Sequence, residues 1–375
     1  MINFDKNATT GTDREVWDIM QKYAVEQYGN PSAIYPFAEK SRKIISDAKE
    51  ILAYIIHCRP EEIYFVPSGS AADNWVLNSI GAKSSAIVTS RIEHHAITNT
   101  LLNVNVNQLV ISCPVDHNGE IDYETLEREI KENRFVSIMY VNNEIGVIQD
   151  ISKIGHICRQ KEVPFHTDAV QAFGKLPINV DSECIDFLSA TGHKFHGPQG
   201  IGFMYIREKY REQMKPLFYG GSQQRGLIAG TENISGIAGL AYAAEKAYGD
   251  LEKHNKQIHE IHWALKSKLK IAFPDITFNG GKASHLESCI SVCFANYHVQ
   301  GEQLLAFLAE NDICASSGSA CNSQSGEVSH VLKAIGLSDE EANATLRFSF
   351  DADNTVDEVD EIIRVLTEGM RIISS

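Results

Sequence analysis

The alternation of short apolar segments with helical patterns between residues 63 and 206 constrains the fold of this chain more than any other feature. Patterns with helical periodicity at residues 73–81, 123–131 and 151–161 separate segments rich in Val, Ile and Phe. Strands that alternate with helices predict βαβ units and a mostly parallel sheet. The predicted strands are residues 63–66, 86–89, 108–111, 136–141, 163–166 and 187–190.

A further apolar segment at residues 201–206 predicts that the sheet is mixed. It follows the turn Gly197-Pro198-Gln199-Gly200 so closely that a helical crossover cannot fit between them. An antiparallel neighbour needs no such crossover. We therefore expect an α/β fold with a large domain, in which helices flank a mostly parallel, mixed sheet of seven strands.

The C-terminal part of the chain predicts a smaller α+β domain. A helical pattern at residues 234–272 leads into it, and strands at 288–294 and 345–350 enclose a helix at 302–311. The last helix opens with a capping-box pattern from Thr355 to Glu358. We divide the chain into an N-terminal segment packing on the small domain (1–15), a large domain (16–255) and a small C-terminal domain (256–375).

Charge and hydropathy exclude two classes of partner. Of the 375 residues, 34 are Lys or Arg and 49 are Asp or Glu, which gives a formal net charge of −15. A charge of that sign repels phosphate backbones, so no nucleic-acid partner is expected. The strongest apolar run, residues 51–56, is too short to span a bilayer, and residues 1–6 do not resemble a secretory signal. We expect a cytoplasmic protein without a membrane partner.

The segment Gly192-His193-Lys194 places a lysine just after an apolar strand, inside a turn of small residues. A lysine amine that is partly desolvated or close to other cations can form a Schiff base with an aldehyde. The ordinary alternative is a surface lysine that extends into solvent. Lys194 is a candidate catalytic residue because of its neighbours in the sequence.

Asp168 follows the predicted strand at residues 163–166, at the edge where open α/β sheets bind their ligands. A carboxylate in such a place needs a cationic partner. The protonated ring nitrogen of pyridoxal phosphate would be one, and Asp168 would then help the ring to act as an electron sink. The alternative is that Asp168 caps the N-terminus of the next helix.

Other strand ends carry polar residues that could contact a cofactor, although such residues, taken singly, more often cap a loop or bind nothing. The Gly69-Ser70 loop leads into a helix whose N-terminal amides could bind a phosphate. His94 could stack on a cofactor ring and transfer protons. Asn143 could hydrogen-bond a ring hydroxyl or a substrate carboxylate.

Cys321 differs from the other cysteines in its surroundings. The eight cysteines show no spacing that predicts a zinc site or a disulfide framework, and most are expected to be small buried residues. Cys321 instead lies in a Ser/Gly-rich loop at residues 315–323. A nucleophile or sulfur carrier needs solvent access and freedom to move, which such a loop supplies.

Together these motifs resemble the cysteine desulfurases of the class-V pyridoxal-phosphate family, which has the fold-type I architecture, and the likeness covers nearly the whole chain. Gly192-His193-Lys194 is similar to the segment of the family that binds the cofactor. The other matching segments are residues 4–10, 28–32, 141–146, 316–321 and 347–349, of which 316–321 is similar to the catalytic-cysteine loop.

The resemblance implies that pyridoxal 5'-phosphate is the cofactor and that it binds in the large domain. Lys194 would hold it covalently, Asp168 would pair with its ring nitrogen, and His94 would stack on its ring. Gln171 and Asn143 would hydrogen-bond the ring oxygen.

The phosphate of the cofactor would be held by a second group of residues. The resemblance assigns this role to Thr191, His193, Gly69 and Ser70. It also implies a homodimer, in which Thr231 of the second subunit would contribute to the same phosphate site.

The implied reaction converts L-cysteine to L-alanine. Arg347, helped by Asn143, would bind the substrate carboxylate as a bidentate partner. Cys321 would take the sulfur as a persulfide and pass it to an acceptor protein, such as an iron–sulfur scaffold or a tRNA-thiolation enzyme.

The departures from the family pattern lie near the cofactor and substrate. The phosphate loop, residues 67–71, reads Pro-Ser-Gly-Ser-Ala where Ser-Gly-Ala-Thr-Glu is usual. Tyr35, Ala38, Thr191 and Ile228 stand where His, Gly, Ser and Arg are common. The chain also ends soon after its last helix, without the C-terminal segment of housekeeping members, so we expect a specialised sulfur donor.

Several other functions stay open on the sequence alone. Selenocysteine lyase, or another class-V pyridoxal-phosphate enzyme, would use the same scaffold. An inactive relative would keep the fold without catalysis. A metal-dependent hydrolase would use imidazole and carboxylate ligands. Its candidate ligands are His94, His95, His166, Asp168, His193 and His196, whereas we expect His259 and His262 to lie on a solvated helix face.

Overall fold

The structure is a computed structural model that describes residues 1–104, 108–317 and 328–373. Its strands are Ile2–Asn3 (β1), Ile63–Val66 (β2), Ala86–Ser90 (β3), Leu109–Cys113 (β4), Arg134–Ser137 (β5), Phe165–Asp168 (β6), Phe187–Thr191 (β7), Gly202–Ile206 (β8), Thr277–Asn279 (β9), Cys289–Cys293 (β10), Ile313–Cys314 (β11), Ser316–Ser317 (β12) and Thr345–Ser349 (β13). Its α-helices are Arg14–Val25 (α1), Pro36–Ile56 (α2), Gly69–Ser79 (α3), His95–Val104 (α4), Tyr123–Glu129 (α5), Ile151–Gln160 (α6), Ile234–Gly249 (α7), Leu251–Ala272 (α8), Gly301–Glu310 (α9), His330–Ala334 (α10), Asp339–Asn343 (α11) and Val356–Ile373 (α12).

The large sheet has the mixed, mostly parallel arrangement that the sequence predicts. Among the described residues its strand order is β2-β8-β7-β6-β5-β3-β4, which makes seven strands. β8 runs antiparallel to both of its neighbours, and the other pairs are parallel. The predicted antiparallel strand after the Gly197–Gly200 turn is thereby confirmed.

Apolar side chains cover both faces of this sheet. On one face, Leu52 of α2, Ile154 of α6 and Leu240 of α7 belong to one buried cluster with strand residues of the sheet. On the other, Trp75 of α3 and Ile97 of α4 belong to a second buried cluster. A parallel sheet needs this double cover because its strands are apolar on both sides. Function is thereby confined to the rim of the sheet, where the loops are.

Most of the rest of the described chain forms an antiparallel sheet with helices packed on it, and β1 pairs with β11 in a separate parallel sheet of two strands. The strand order of the antiparallel sheet is β12-β13-β10-β9, and residues of α8, α9 and α12 share its apolar cluster with Phe4. The α12 capping box is present: the Thr355 N–H donates to Glu358 Oε2 (2.9 Å), and the Glu358 N–H donates to Thr355 Oγ1 (3.2 Å). Since α8 runs through residue 255 without a break, the domain division there stays a prediction.

One expectation about α8 is wrong. His259 is exposed, as expected, but His262 is only 7% exposed. Its Nδ1 lies 2.8 Å from the Glu287 carbonyl oxygen, and this polar partner allows the imidazole to be buried. In the described part of the chain, no helix is both long and apolar enough to span a membrane.

Candidate active site

A cavity of about 320 Å³ opens at the carboxyl ends of β6 and β7, next to the first turn of α3. Strand-to-helix loops from distant parts of a sequence meet at this edge of a parallel sheet. The candidate residues that line the cavity are Gly69, Ser70, His94, Asn143, Asp168, Gln171, Thr191, His193, Lys194 and Arg347.

Two candidate residues do not belong to this set. Thr231 is exposed and does not line the cavity. Its contribution to a second subunit stays a prediction. Cys321 lies outside the described residues.

Ile228, three residues before Thr231 in the sequence, is 7% exposed and belongs to an apolar cluster with Met214. This burial accounts for an apolar residue at this position.

Lys194 ends a single 3-10 turn, Gly192–Lys194, that follows β7. Gly192 allows the turn to close, because a Cβ there would lie 2.8 Å from the Pro198 carbonyl oxygen. The Lys194 Nζ donates to the backbone oxygens of Asn7 (2.6 Å) and Ala8 (2.7 Å). The amine therefore reaches the cavity and is held there by the N-terminal segment.

Asp168 ends β6 and is 5% exposed. Its Oδ1 accepts a hydrogen bond from the Val170 N–H (2.9 Å), as a capping aspartate would, and it also lines the cavity. Burial raises the pKa of Asp168 to about 6, while the bond from Val170 and the charge of Lys194 act in the opposite direction. A cationic partner in the cavity would favour the charged carboxylate.

A buried polar layer lies beside Asp168, and of its members the sequence analysis named only His166, as a candidate metal ligand. The His166 imidazole is within 2.9 Å of both Ser137 Oγ and Ser189 Oγ. Asp73 Oδ1 lies 3.6 Å from His166 Nε2 and has no hydrogen-bond partner among the described residues. Burial, together with the nearby Asp168, raises the pKa of Asp73 well above its ordinary value. A polar residue inside an apolar strand, such as Ser137 or Ser189, was the available signal.

The first turn of α3 faces the cavity as the sequence predicts, but its cap is Ser68. Ser68 Oγ accepts from the Ala71 N–H (3.1 Å). A Cβ on Gly69 would lie 2.5 Å from Val170 Cγ2, so only glycine fits there without a shift. First-turn amides have no partner within their own helix and can bind an anion. Thr191 Oγ1, at the end of β7, donates to the Ile201 carbonyl oxygen (3.1 Å).

Histidines form another part of the lining. His94 Nδ1 accepts from the Ala96 N–H (3.1 Å). Burial, with the nearby Lys194, lowers the pKa of His94 to about 4, so the ring is neutral near pH 7. The His95 and His330 ring centroids lie 4.8 Å apart, and both residues also line the cavity. His330 follows the undescribed segment, and no pattern in the sequence singled it out.

His193, the residue before the lysine, contacts the N-terminal segment. Its Nδ1 lies 3.1 Å from Thr9 Oγ1. Burial and the charge of Lys194 lower the pKa of His193 to about 4, so it too is neutral near pH 7. Any contribution to binding an anion would therefore come from an N–H group and not from a positive charge.

Arg347 lies on β13 and is 2% exposed. It donates to the Asn143 carbonyl oxygen (3.0 Å) and to Asp5 Oδ1 (2.7 Å). The Arg347 Nε has no hydrogen-bond partner among the described residues. A buried guanidinium with an unused donor beside a cavity is suited to an incoming carboxylate.

Asn7 connects several of these residues, and the sequence analysis did not assign it a role. Its backbone oxygen accepts from Lys194 and also from Gln171 Nε2 (3.0 Å). Its side-chain Nδ2 donates to the Asn143 carbonyl oxygen (3.1 Å). Long-range contacts of this kind leave no periodic signal, although the match of residues 4–10 to the family pattern marked the segment.

The residues proposed for a metal-dependent hydrolase are not gathered into a ligand set. Within residues 1–104, 108–317 and 328–373, three possible metal ligands lie close together, with their ligand atoms within 4.8 Å of one another. They are His196, Asp351 and Asp353. Of these only His196 was among the candidates. His196 Nε2 lies 2.8 Å from Asp351 Oδ2, and Lys6 Nζ lies 3.3 Å from the same oxygen. His196, Asp351 and Lys6 thus form a network of ion pairs between the seven-stranded sheet and the antiparallel sheet.

Known proteins resemble this chain over nearly its whole length. A family model, Aminotransferase class-V, matches residues 2–362. The cysteine desulfurase IscS of Clostridium botulinum (strain Hall) is 38% identical over 371 residues, covering 97% of this chain and 93% of its own. IscS of Methanosarcina thermophila is 39% identical over 373 residues, with 98% and 91% covered.

Solved structures agree with these relatives. A NifS-like protein superposes with a TM-score of 0.91 at 32% sequence identity, and 99% of each chain is covered. SspA in complex with cysteine superposes with a TM-score of 0.79, also at 32% identity, and 93% of this chain and 99% of that chain are covered.

Proposed function

The chain belongs to the class-V aminotransferase family, and we propose that it is a cysteine desulfurase that uses pyridoxal phosphate to convert L-cysteine to L-alanine. The observation that carries the proposal is that Lys194, Asp168 and Arg347 line one cavity. An amine, a buried acid and a buried guanidinium are the groups that an amino-acid substrate and a pyridine aldehyde would use. The relatives that match over nearly the whole chain are named cysteine desulfurases.

The residues present fit the cofactor that enzymes of this family use. Lys194 would hold its aldehyde carbon, and Asp168 would pair with its ring nitrogen. Gly69 and Ser70 offer first-turn amides to its phosphate. The raised pKa of Asp168, about 6, supports this fit. A buried carboxyl that lacks a strong cationic partner would gain one in the protonated ring nitrogen.

When bound, pyridoxal phosphate would withdraw electrons from the substrate's Cα. The Lys194 amine would take up the Cα proton and later return one to the product. Asp168, as a carboxylate, would hold the proton of the ring nitrogen in place. Arg347 would orient the substrate by its carboxylate, and His94 would offer a flat, uncharged ring to the cofactor.

Sulfur transfer completes the proposal. The Cys321 thiolate would attack the substrate sulfur, the Cβ–S bond would break, and a persulfide would form on Cys321. The remaining carbon skeleton would take up a proton and leave as L-alanine. An acceptor protein would then receive the sulfur. An iron–sulfur scaffold and a tRNA-thiolation enzyme are the two kinds of acceptor we propose.

We further propose a homodimer, with Thr231 of one copy reaching the phosphate site of the other. Large apolar side chains on the surface support this. Trp17, Tyr28, Ile34 and Tyr219 are 52%, 68%, 100% and 82% exposed. Apolar side chains favour burial against another chain where they form one contiguous patch, and the proposed dimer requires such a patch of these residues. A cytoplasmic location stays a prediction from the sequence.

The test is alanine release from L-cysteine in the presence of a thiol reductant. We expect the wild type to release alanine, and Cys321→Ala to lose at least about 99% of the rate, since a nucleophile in a covalent mechanism is removed. Cys58→Ala, a partly buried cysteine remote from the cavity, is the matched control and should keep the wild-type rate. A Cys321→Ala protein as active as the wild type would exclude the persulfide step.

The same assay separates the nearest alternative. If Cys321→Ala turned over L-selenocysteine as fast as the wild type while losing L-cysteine turnover, selenocysteine lyase would become the better assignment. Absence of alanine from the wild type with both substrates would exclude the proposal and favour an inactive relative.

A further inference from the structure

We propose that Lys175 is a positioning residue of this site: its ammonium group orients the side-chain amides of Gln171 and Asn7, and through them the groups around the cofactor's ring oxygen and the Lys194 amine. This rests on the proposed function, because it assumes pyridoxal phosphate in the cavity. Neither composition nor the resemblance assigns a role to Lys175.

Local structure places Lys175 beside Gln171. The segment after β6 turns helically, and the Lys175 N–H donates to the Ala172 carbonyl oxygen (3.0 Å). Residues four apart on such a turn lie on one side. Gly174, at φ +83°, allows the turn to pack closely against Phe195, since a Cβ on residue 174 would lie 2.5 Å from Phe195 Cβ. The Lys175 Nζ consequently reaches Gln171 Oε1 at 3.1 Å.

The chemistry of an ammonium group makes this contact directional. Lys175 Nζ donates to Gln171 Oε1 and to Asn7 Oδ1, the latter at 3.2 Å. An ammonium group has donors and no acceptor, so the amide oxygens must face it. Both amide NH₂ groups therefore point away from Lys175, and an amide flip is excluded while the amine is charged.

The direction of the amides matters because of what their NH₂ groups meet. Gln171 Nε2 donates to the Asn7 carbonyl oxygen (3.0 Å), and Asn7 Nδ2 donates to the Asn143 carbonyl oxygen (3.1 Å). The same Asn7 oxygen accepts from Lys194 Nζ (2.6 Å). Asn7 is 3% exposed, so water cannot readily replace a lost partner. Lys175 thus bonds Gln171 directly, and Gln171 in turn bonds the Asn7 carbonyl oxygen that holds Lys194.

The electrostatic surroundings of Lys175 favour such a role. Burial and the charge of Arg347 lower the pKa of Lys175 to about 8, although Cys289 and Asp351 act in the opposite direction. Lys175 also lines a second cavity, of about 400 Å³, next to the candidate active site, and Lys6 and Lys194 line this neighbouring cavity too. Among the described residues no carboxylate forms an ion pair with Lys175. A cation with only amide partners is costly to bury, so a neutral residue would serve packing better.

The test compares Lys175→Met with Lys253→Met, an exposed lysine on the same neighbouring cavity. Pyridoxal phosphate is added to the apoprotein, and its visible absorption gives the dissociation constant and the pH midpoint of the spectral change. For Lys175→Met we expect about tenfold weaker binding of pyridoxal phosphate, because one well-placed hydrogen bond to the cofactor would be lost. The midpoint should move to higher pH, because a positive charge near Lys194 is removed.

Further variants keep the inference open to contradiction. Lys175→Arg keeps a cationic donor without an acceptor and should restore most of the affinity. If Lys175→Met does not fold, Lys175→Gln removes the charge with less apolar change and should show the same midpoint shift. A dissociation constant and midpoint equal to the wild type in the Met or Gln variant would overturn the inference, as would an equal change in Lys253→Met.

The outcome also separates this inference from the proposed function. A wild-type apoprotein that binds no pyridoxal phosphate would contradict the proposed function. A wild type that binds it and releases alanine, beside a Lys175→Met protein with the same affinity and midpoint, would contradict the positioning role alone.

Discussion

Two cavities meet at Lys194, and they differ in how their polar groups are partnered. The larger, about 400 Å³, lies between the seven-stranded sheet and the antiparallel sheet, and it contains several ion pairs. Lys246 Nζ lies 2.7 Å from Asp13 Oδ2, and Asp351 Oδ2 lies 2.8 Å from His196 Nε2. We call this the paired cavity.

The smaller cavity, about 320 Å³, is the candidate active site, and several buried polar atoms around it have no partner among the described residues. These are Asp73 Oδ1, His95 Nε2, His330 Nδ1 and Arg347 Nε. Unpaired buried polar atoms cost stability, and proteins keep them where a ligand will use them. The comparison teaches that unpartnered buried polar atoms are concentrated at the candidate active site, whereas the paired cavity has Ser288 Oγ as such an atom and is mainly lined by ion pairs and other partnered groups.

The largest expected effect comes from Arg347, which serves both stability and binding. In Arg347→Met, the partly buried Asp5 loses its cation, so we expect the free energy of unfolding to fall by about 3 kcal/mol. The KM for L-cysteine should rise at least about tenfold, since the carboxylate loses its bidentate partner. Urea unfolding and steady-state alanine release measure the two quantities.

Arg364→Met is the matched control for Arg347. Arg364 is exposed and pairs with Glu361 and Glu368 on the surface of α12. We expect a much smaller loss of stability than for Arg347→Met, because solvent screens exposed ion pairs, and an unchanged KM. Equal effects of the two substitutions would contradict the distinction between a binding guanidinium and an ordinary ion pair.

A smaller effect, dependent on pH, is expected in the paired cavity. Burial opposes ionisation of Asp351, but His196 and Lys6 more than offset it and lower the pKa of Asp351 to about 2. Burial also opposes ionisation of His196, yet the bond to Asp351 raises the pKa of His196 above its ordinary 6.5. The Asp351 contribution to stability is present above pH 3.8 and is lost as pH falls through 2. The His196 contribution is present below pH 6.5 and is lost as pH rises through its raised pKa.

Asp351→Asn should therefore cost most between about pH 4 and pH 6.5, by about 1 kcal/mol, and less at pH 9. Unfolding in urea at pH 6 and pH 9 measures this difference. Lys246→Met is the control in the same cavity. Burial opposes ionisation of its partner Asp13, but Lys246 and the other contacts of Asp13 hold the pKa of Asp13 below the ordinary 3.8. Asp13 therefore stays charged over this range, and the smaller cost of the substitution, below about 1 kcal/mol, should not change. A cost of Asp351→Asn that grows toward pH 9 would contradict the pairing with protonated His196.

The sequence predicts the fold well because periodicity reports local structure. The mostly parallel sheet, the antiparallel β8 and the α12 cap follow from short-range patterns. The strand-end rule also leads to Asp168 and Lys194, since Asp168 ends one strand and Lys194 lies one turn beyond another.

What the sequence does not predict depends on long-range packing. Asn7 contacts Lys194 across 187 positions, and no periodic pattern reports such a contact. Asp73 lies within α3, where a polar residue would ordinarily face solvent, yet it is 1% exposed. His262 misled the analysis in the same way, because the inner face of α8 accepts an imidazole bonded to a carbonyl oxygen.

The central claim is that Lys194, and not the neighbouring Lys175, carries the cofactor. The most direct test is to load the protein with pyridoxal phosphate, reduce it with borohydride, and locate the modified lysine by mass spectrometry of a digest. The account predicts modification of Lys194, and none at this position or at Lys175 in Lys194→Ala. Modification of Lys175 in the wild type, or of no lysine at all, would contradict it.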